Sequence, residues 1–89
     1  MKAIITVIGK DKTGIIYNVS KVLSECEVNI DDISQTVMQD YFTMLMLVTI
    51  DEEKTTFKQL KAELDKTAEN VGLSIRVQKE EIFDTMHKI

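Results

Sequence analysis

The sequence predicts an α+β sandwich, with elements in the order strand, helix, strand, strand, helix, strand and a short apolar tail behind them. Two observations carry that expectation. Apolar residues alternate or run continuously over 2–8, 29–39, 42–50 and 73–78, the pattern of strands. They recur at helical spacing over 15–26 and 57–71, the pattern of helices with one buried stripe.

Residues 2–8 (K-A-I-I-T-V-I) are apolar on both alternating sets, Ala3, Ile5 and Val7 against Ile4, Thr6 and Ile8. Such a strand lies centrally, covered on both faces. The loop G-K-D-K-T-G-I-I follows at 9–16. Two glycines five residues apart suit a tight turn into a helix start, whose first N–H groups lack intrahelical partners and attract anions. Asp11 or Thr13 can supply the capping oxygen. Ile15, Val19, Val22, Leu23 and Cys26 then form the buried stripe of the first helix.

From 29 to 39 the period is two, with Ile33, Gln35 and Val37 opposed to Ser34, Thr36 and Met38, as in a half-exposed strand. A turn near Gln39, Asp40 and Tyr41 leads into 42–50, the most continuously apolar segment, read as the second arm of a hairpin and a central strand. Asp51, Glu52 and Glu53 suit the positive end of a helix, and Thr56 with Gln59 matches a capping box. Phe57, Leu60, Leu64, Ala68 and Val71 give the second helical stripe, closed by Gly72 at a left-handed C-terminal position. Leu73, Ile75 and Val77 alternate with polar residues in a last strand placed at an edge.

Right-handed crossovers convert this order into a ferredoxin-like βαββαβ sandwich, a four-stranded antiparallel sheet with both helices on one face. The domain is expected over 1–79. The tail, 80–89, places Ile82, Phe83, Met86 and Ile89 on one stripe and is expected to be a short helix. Phe42, Met44, Met46, Val48 and Ile50 share one side of the third strand, with Leu45 and Leu47 on the other. The face away from the helices therefore needs cover from the tail, a partner or both. Assigning the methionines to that face favours face-to-face association over side-by-side pairing.

A chain of 89 residues is one domain that buries about 60 to 65% of its extended surface, so a second copy would add needed burial. The net charge of −4, with Arg76 the only arginine, argues against a nucleic-acid groove. A single cysteine, Cys26, permits no internal disulfide and no paired-thiol metal site. No signal pattern and no 18-residue apolar run is present, which points to the cytoplasm and away from the membrane.

The chemistry-bearing residues point away from catalysis. Base stacking would need aromatics on the central strands, where Met44 and Met46 stand. A first-loop anion enzyme would need an arginine there, and a metallochaperone of this fold would need thiols. His87 lies in the tail, a poor place for a general base. Cys26, on an apolar stripe, reads as an inert thiol. Asp31 and Asp32 alternate across a strand and do not chelate one ion together. The expectation is no enzyme, no metal and no cofactor.

The element order, the loop pattern with Asp11, Gly14 and Ile15, and the Asn29-Ile30 pair opening the second strand together resemble the ACT domain. The resemblance covers residues 1–79 and is closest to small stand-alone members similar to the glycine-cleavage-repressor type. It implies a regulatory module that binds an amino acid or similar small metabolite between two ACT domains. Carried over by position, Gly14 and Ile15 would offer backbone N–H groups to a ligand carboxylate. Asn29 would reach the ligand or the partner subunit, Ile30 would shape the far wall, and Asp11 and Thr13 would be the nearest loop side chains. Thr13 departs from the family pattern, in which many members have proline before the glycine.

Two functions follow. One is a homodimeric sensor that passes its bound state to a separate enzyme or regulator, since no catalytic or DNA-binding domain is attached. The other is a ligand-free interaction module that uses the open sheet face and the apolar tail.

Overall fold

The computed structural model describes residues 1–81. Its elements are β1 (Lys2–Gly9), α1 (Lys12–Glu25), β2 (Asn29–Met38), β3 (Tyr41–Thr49), α2 (Phe57–Val71) and β4 (Ser74–Lys79). The strands form one antiparallel sheet in the order β2-β3-β1-β4. The expected ferredoxin-like sandwich is therefore the observed one, with β1 and β3 central. The expected tail helix falls on 82–89, outside the described residues.

The core lies between one sheet face and the two helices. Ala3, Ile5 and Val7 of β1, Phe42, Met44, Met46 and Val48 of β3, and Val77 of β4 pack against Ile15, Val19, Val22 and Leu23 of α1 and Leu60 and Leu64 of α2. Register explains the grouping: Ile5 pairs with Met46 and Val77, and Val7 with Met44 and Ile75. Paired residues point to the same side of a sheet.

This arrangement corrects the sequence-based placement of the methionines. Met44 and Met46 are 2% and 1% exposed beneath the helices, not on the open face. The physical reason is volume. Of the two alternating sets on β3, the one with Phe42, Met44, Met46 and Val48 carries more apolar bulk, and burying it against the helical stripes removes the most surface from water. The open face instead carries Ile4, Thr6 and Ile8 of β1 with Leu45 and Leu47 of β3. The case for face-to-face association through methionine falls with this placement.

Local chemistry fixes the ends of α2. The Thr56 hydroxyl accepts from the Gln59 N–H at 3.1 Å, and the Gln59 side chain accepts from the Thr56 N–H at 3.0 Å, the expected capping box. Gly72 closes the helix at φ 75°, where a side chain would cost backbone strain. Asp51 to Lys54 form a separate turn ahead of the helix.

β2 is the exception to burial, because all ten of its residues are exposed. It is one edge of the sheet, paired only to β3, and the helices do not cover it. Ile30, Ile33 and Val37 pair with Val48, Met46 and Phe42, so they face the helix side yet stand beyond the helices at 36%, 42% and 65% exposure.

Candidate functional site

The 9–16 loop is built on a cap. Asp11 is the residue before the first turn of α1; its Oδ1 accepts from the Gly14 N–H at 3.2 Å, and its carbonyl accepts from the Ile15 N–H at 2.9 Å. Asn18 Nδ2 donates to the Gly14 carbonyl at 2.7 Å, which ties the second turn to the first. Of the two capping candidates, Asp11 takes the role, and Thr13 stands exposed beside it.

This geometry alters two sequence expectations. Neither Gly9 nor Gly14 has a positive φ, so their need for glycine is spatial. A Cβ on Gly14 would come within 2.7 Å of Asp11 Oδ2, and one on Gly9 within 2.6 Å of Leu73 Cδ2. The Gly14 and Ile15 N–H groups, expected to meet a ligand carboxylate, are already engaged within the chain, both by Asp11. A carboxylate of the protein thus sits where the helix start favours an anion. Among the described residues, the first-turn donors without such a partner are the N–H groups of Lys12 and Thr13.

Replacing Asp11 by alanine removes the cap and should lower stability by about 1 kcal/mol. Urea unfolding would read this, and Asp11→Asn should retain most of the difference because asparagine caps nearly as well.

Two lysines flank the loop. Lys10 Nζ lies 5.6 Å from the centroid of the Tyr41 ring, and Lys12 Nζ lies 5.7 Å from that of Phe42. The loop therefore abuts the β2–β3 turn. On the side toward β4, the loop also borders an open groove of about 550 Å³ shared with Tyr41 and the 71–74 turn.

The strand half of the expected site lies elsewhere. Asn29 pairs with Thr49, which pairs with Lys2, whereas the loop follows Gly9, which pairs with Phe42. Asn29 and Ile30 are consequently at the opposite end of the sheet, about 23 Å from the loop at about 3.3 Å per residue. One chain brings Asp11, Thr13, Gly14 and Ile15 together and keeps Asn29 and Ile30 apart from them. Periodicity gave no sign of this separation, which follows from the antiparallel register.

At that far end Asn29 belongs to a small polar cluster. Asn29 Nδ2 donates to Asp31 Oδ1 at 2.7 Å, the Thr49 hydroxyl donates to Asp31 Oδ2 at 2.5 Å, and Lys2 Nζ stands 3.7 Å away. A bulge between Ile30 and Asp32 makes room for Asp31, while Asp32 Oδ1 accepts from the Ile33 N–H. The Thr49 hydrogen bond, then those from Asn29 and the nearby Lys2 charge, hold the Asp31 carboxyl below its ordinary value of 3.8. A lowered native value means that ionised Asp31 favours the fold. Its contribution is complete above 3.8 and disappears as pH falls through the lower native value. Asp31→Asn should therefore flatten the acid limb of a circular-dichroism stability profile below 3.8, and an unchanged limb would show the cluster to be inert.

Cys26 ends α1 half-buried. Burial, with the Glu63 charge, pushes its thiol up, the opposite of what a nucleophile needs. Among the described residues, no group of three or more acidic, histidine or cysteine side chains is placed to hold a metal. No helix among them is long and apolar enough to cross a membrane.

Comparison with known proteins places this geometry among relatives. A family model described as "ACT domain" matches residues 2–78. The UPF0237 protein of Clostridium acetobutylicum is 53% identical over 89 residues, covering 100% of both chains. A solved structure of an ACT domain protein from Streptococcus pneumoniae superposes with a TM-score of 0.80 at 47% identity, covering 93% of each chain. A solved structure described as a "putative glycine cleavage system transcriptional repressor" shares the fold, with a TM-score of 0.77 at 22% identity over 88% of this chain and 44% of that one.

Proposed function

Since the chain belongs to the ACT domain family, whose domains are regulatory, small-ligand-binding and non-catalytic, we propose that it works as a homodimeric, cytoplasmic sensor of an amino acid or similar small metabolite. The ligand sits between the first loop of one copy and the start of β2 in the other, and the bound state passes to a separate enzyme or regulator.

The observation that supports this reading is the division of the site residues between the two ends of an uncovered edge strand. A twofold pairing through the middle of β2 runs the two copies of that strand antiparallel. The partner's Asn29 and Ile30 then lie beside this chain's Val37 and Met38, at the end that carries Asp11 to Ile15. The pairing satisfies the edge N–H and C=O groups of β2 and covers Ile30, Ile33 and Val37, which supplies a reason for so much exposed apolar surface on one strand.

At such a junction the ligand carboxylate has the Lys12 and Thr13 N–H groups and the Lys12 charge available, and it competes with Asp11 for the Gly14 N–H. Asp11 is also placed to accept from an α-ammonium group. Gly14 keeps this corner open, since a larger side chain would collide with the cap.

A thermal-shift screen of the amino acids tests the reading. A ligand present at about 100 times its Kd should add about 2.7 kcal/mol of stability, and Gly14→Val should abolish the shift. No shift with any amino acid, or an equal shift in Gly14→Val, would overturn it.

The second reading, a ligand-free interaction module, is supported by the same cap: with Asp11 filling the anion position, the Gly14 and Ile15 N–H groups need no ligand. That reading predicts an unchanged association state and no ligand shift across the whole screen.

A further inference from the structure

Three of the large apolar side chains left exposed come from separate elements and meet at one place. Ile8 near the end of β1, Tyr41 at the start of β3 and Val71 at the end of α2 are 40%, 49% and 42% exposed, and all three line the groove of about 550 Å³ beside the first loop. That volume falls within the range of about 300–1,000 Å³ typical of small-molecule sites. Close packing fixes the floor: Leu73 packs against the core and lies so near the loop that only a glycine fits at position 9. At Gly72 a Cβ would meet nothing within 4 Å, so the turn contributes no side chain that fills the space.

The groove also carries charge. Lys10 and Asp11 line it together with Tyr41, and α2 ends on its wall at Val71, where the last carbonyls of a helix are partially negative. One cation, one anion and a negative helix end around an apolar floor complement a zwitterion that bears an apolar side chain. A polyanion would find a single lysine there, and a plain hydrocarbon would leave both charges unused. Tyr41 pairs with Met38, so the groove continues the corner where the first loop meets the end of β2.

We propose that this groove takes the side chain of the bound amino acid, which makes the recognised class the amino acids with large apolar side chains, branched aliphatic or aromatic, and excludes glycine, alanine and serine. The side chain covers Ile8, Tyr41 and Val71, while Lys10 meets its carboxylate and Asp11 with the end of α2 meets its ammonium group. The inference rests on the sensor reading for the presence of an amino acid and adds which class is selected.

Isothermal titration of the full chain with leucine, isoleucine, phenylalanine, alanine and glycine tests it. At least one of the three large amino acids should bind about 10-fold or more tighter than alanine, since even one methylene is worth about that much in an apolar pocket, and glycine should bind most weakly. Ile8→Asn and Val71→Asp each place a polar group in the groove and should bring that affinity ratio toward one. The ratio is taken within one variant, so a loss common to all probes cancels, and a urea midpoint measured alongside identifies a variant that is poorly folded. Equal affinities for large and small amino acids in the wild type, or a ratio that both variants leave unchanged, would overturn the groove assignment and leave the sensor reading standing. Failure of all three large amino acids to bind would overturn the assignment as well, and the sensor reading would then be decided by the full thermal-shift screen.

Discussion

Met46→Ala is expected to destabilise the protein by about 2–5 kcal/mol, the range for truncating a fully buried methionine with incomplete collapse around the void. Met46 is 1% exposed among Ile5, Val77 and the helical leucines, so its loss leaves a cavity in the main core. Leu45→Ala, one residue away on the opposite face and 37% exposed, should cost less than half as much. Urea denaturation at equal slope reads the difference directly. The order would be reversed if the methionines faced outward.

Ile33→Lys combined with Val37→Lys is expected to convert the proposed dimer to a monomer while leaving the fold intact. Both side chains are exposed in the single chain, so lysine costs the monomer little. In the paired arrangement, both stand at an antiparallel strand edge, where charges oppose edge-to-edge association. Sedimentation should show a halved mass, and the ligand-induced thermal shift should disappear with it. A dimer that survives both substitutions would place the interface elsewhere.

The fold was legible because its period changes are sharp. Thr56, Gln59 and Gly72 announced both ends of α2, and the residues of α1 that recur at helical spacing are those found in the core. Which face of β3 would be buried was not legible. Both alternating sets are apolar, and only the position of the helices distinguishes Met44 and Met46 from Leu45 and Leu47. Asp11 was legible only as one of two candidate caps beside Thr13; its hold on the Gly14 N–H, which competes with any ligand, was settled by where the first turn of α1 begins. The division of the candidate site was hidden for a related reason. Asn29 lies fifteen positions after Gly14 in the sequence, yet α1 carries the chain the full length of the sheet before β2 begins.

That division also supplies the most direct measurement. In the proposed arrangement Gly14→Val would impair the loop half of the candidate site and Asn29→Ala the strand half, so each variant alone should lose any thermal shift that an amino acid gives the wild type. Mixing the two variants under exchange conditions should restore binding in the mixed dimers. Each mixed dimer joins an intact loop from the Asn29→Ala copy to an intact strand start from the Gly14→Val copy and so holds one working site. Recovery of binding, read by isothermal titration on the mixture, is the predicted result. If exchange is verified and the mixture remains as inactive as its components, the site is not shared between two copies, and the account is contradicted.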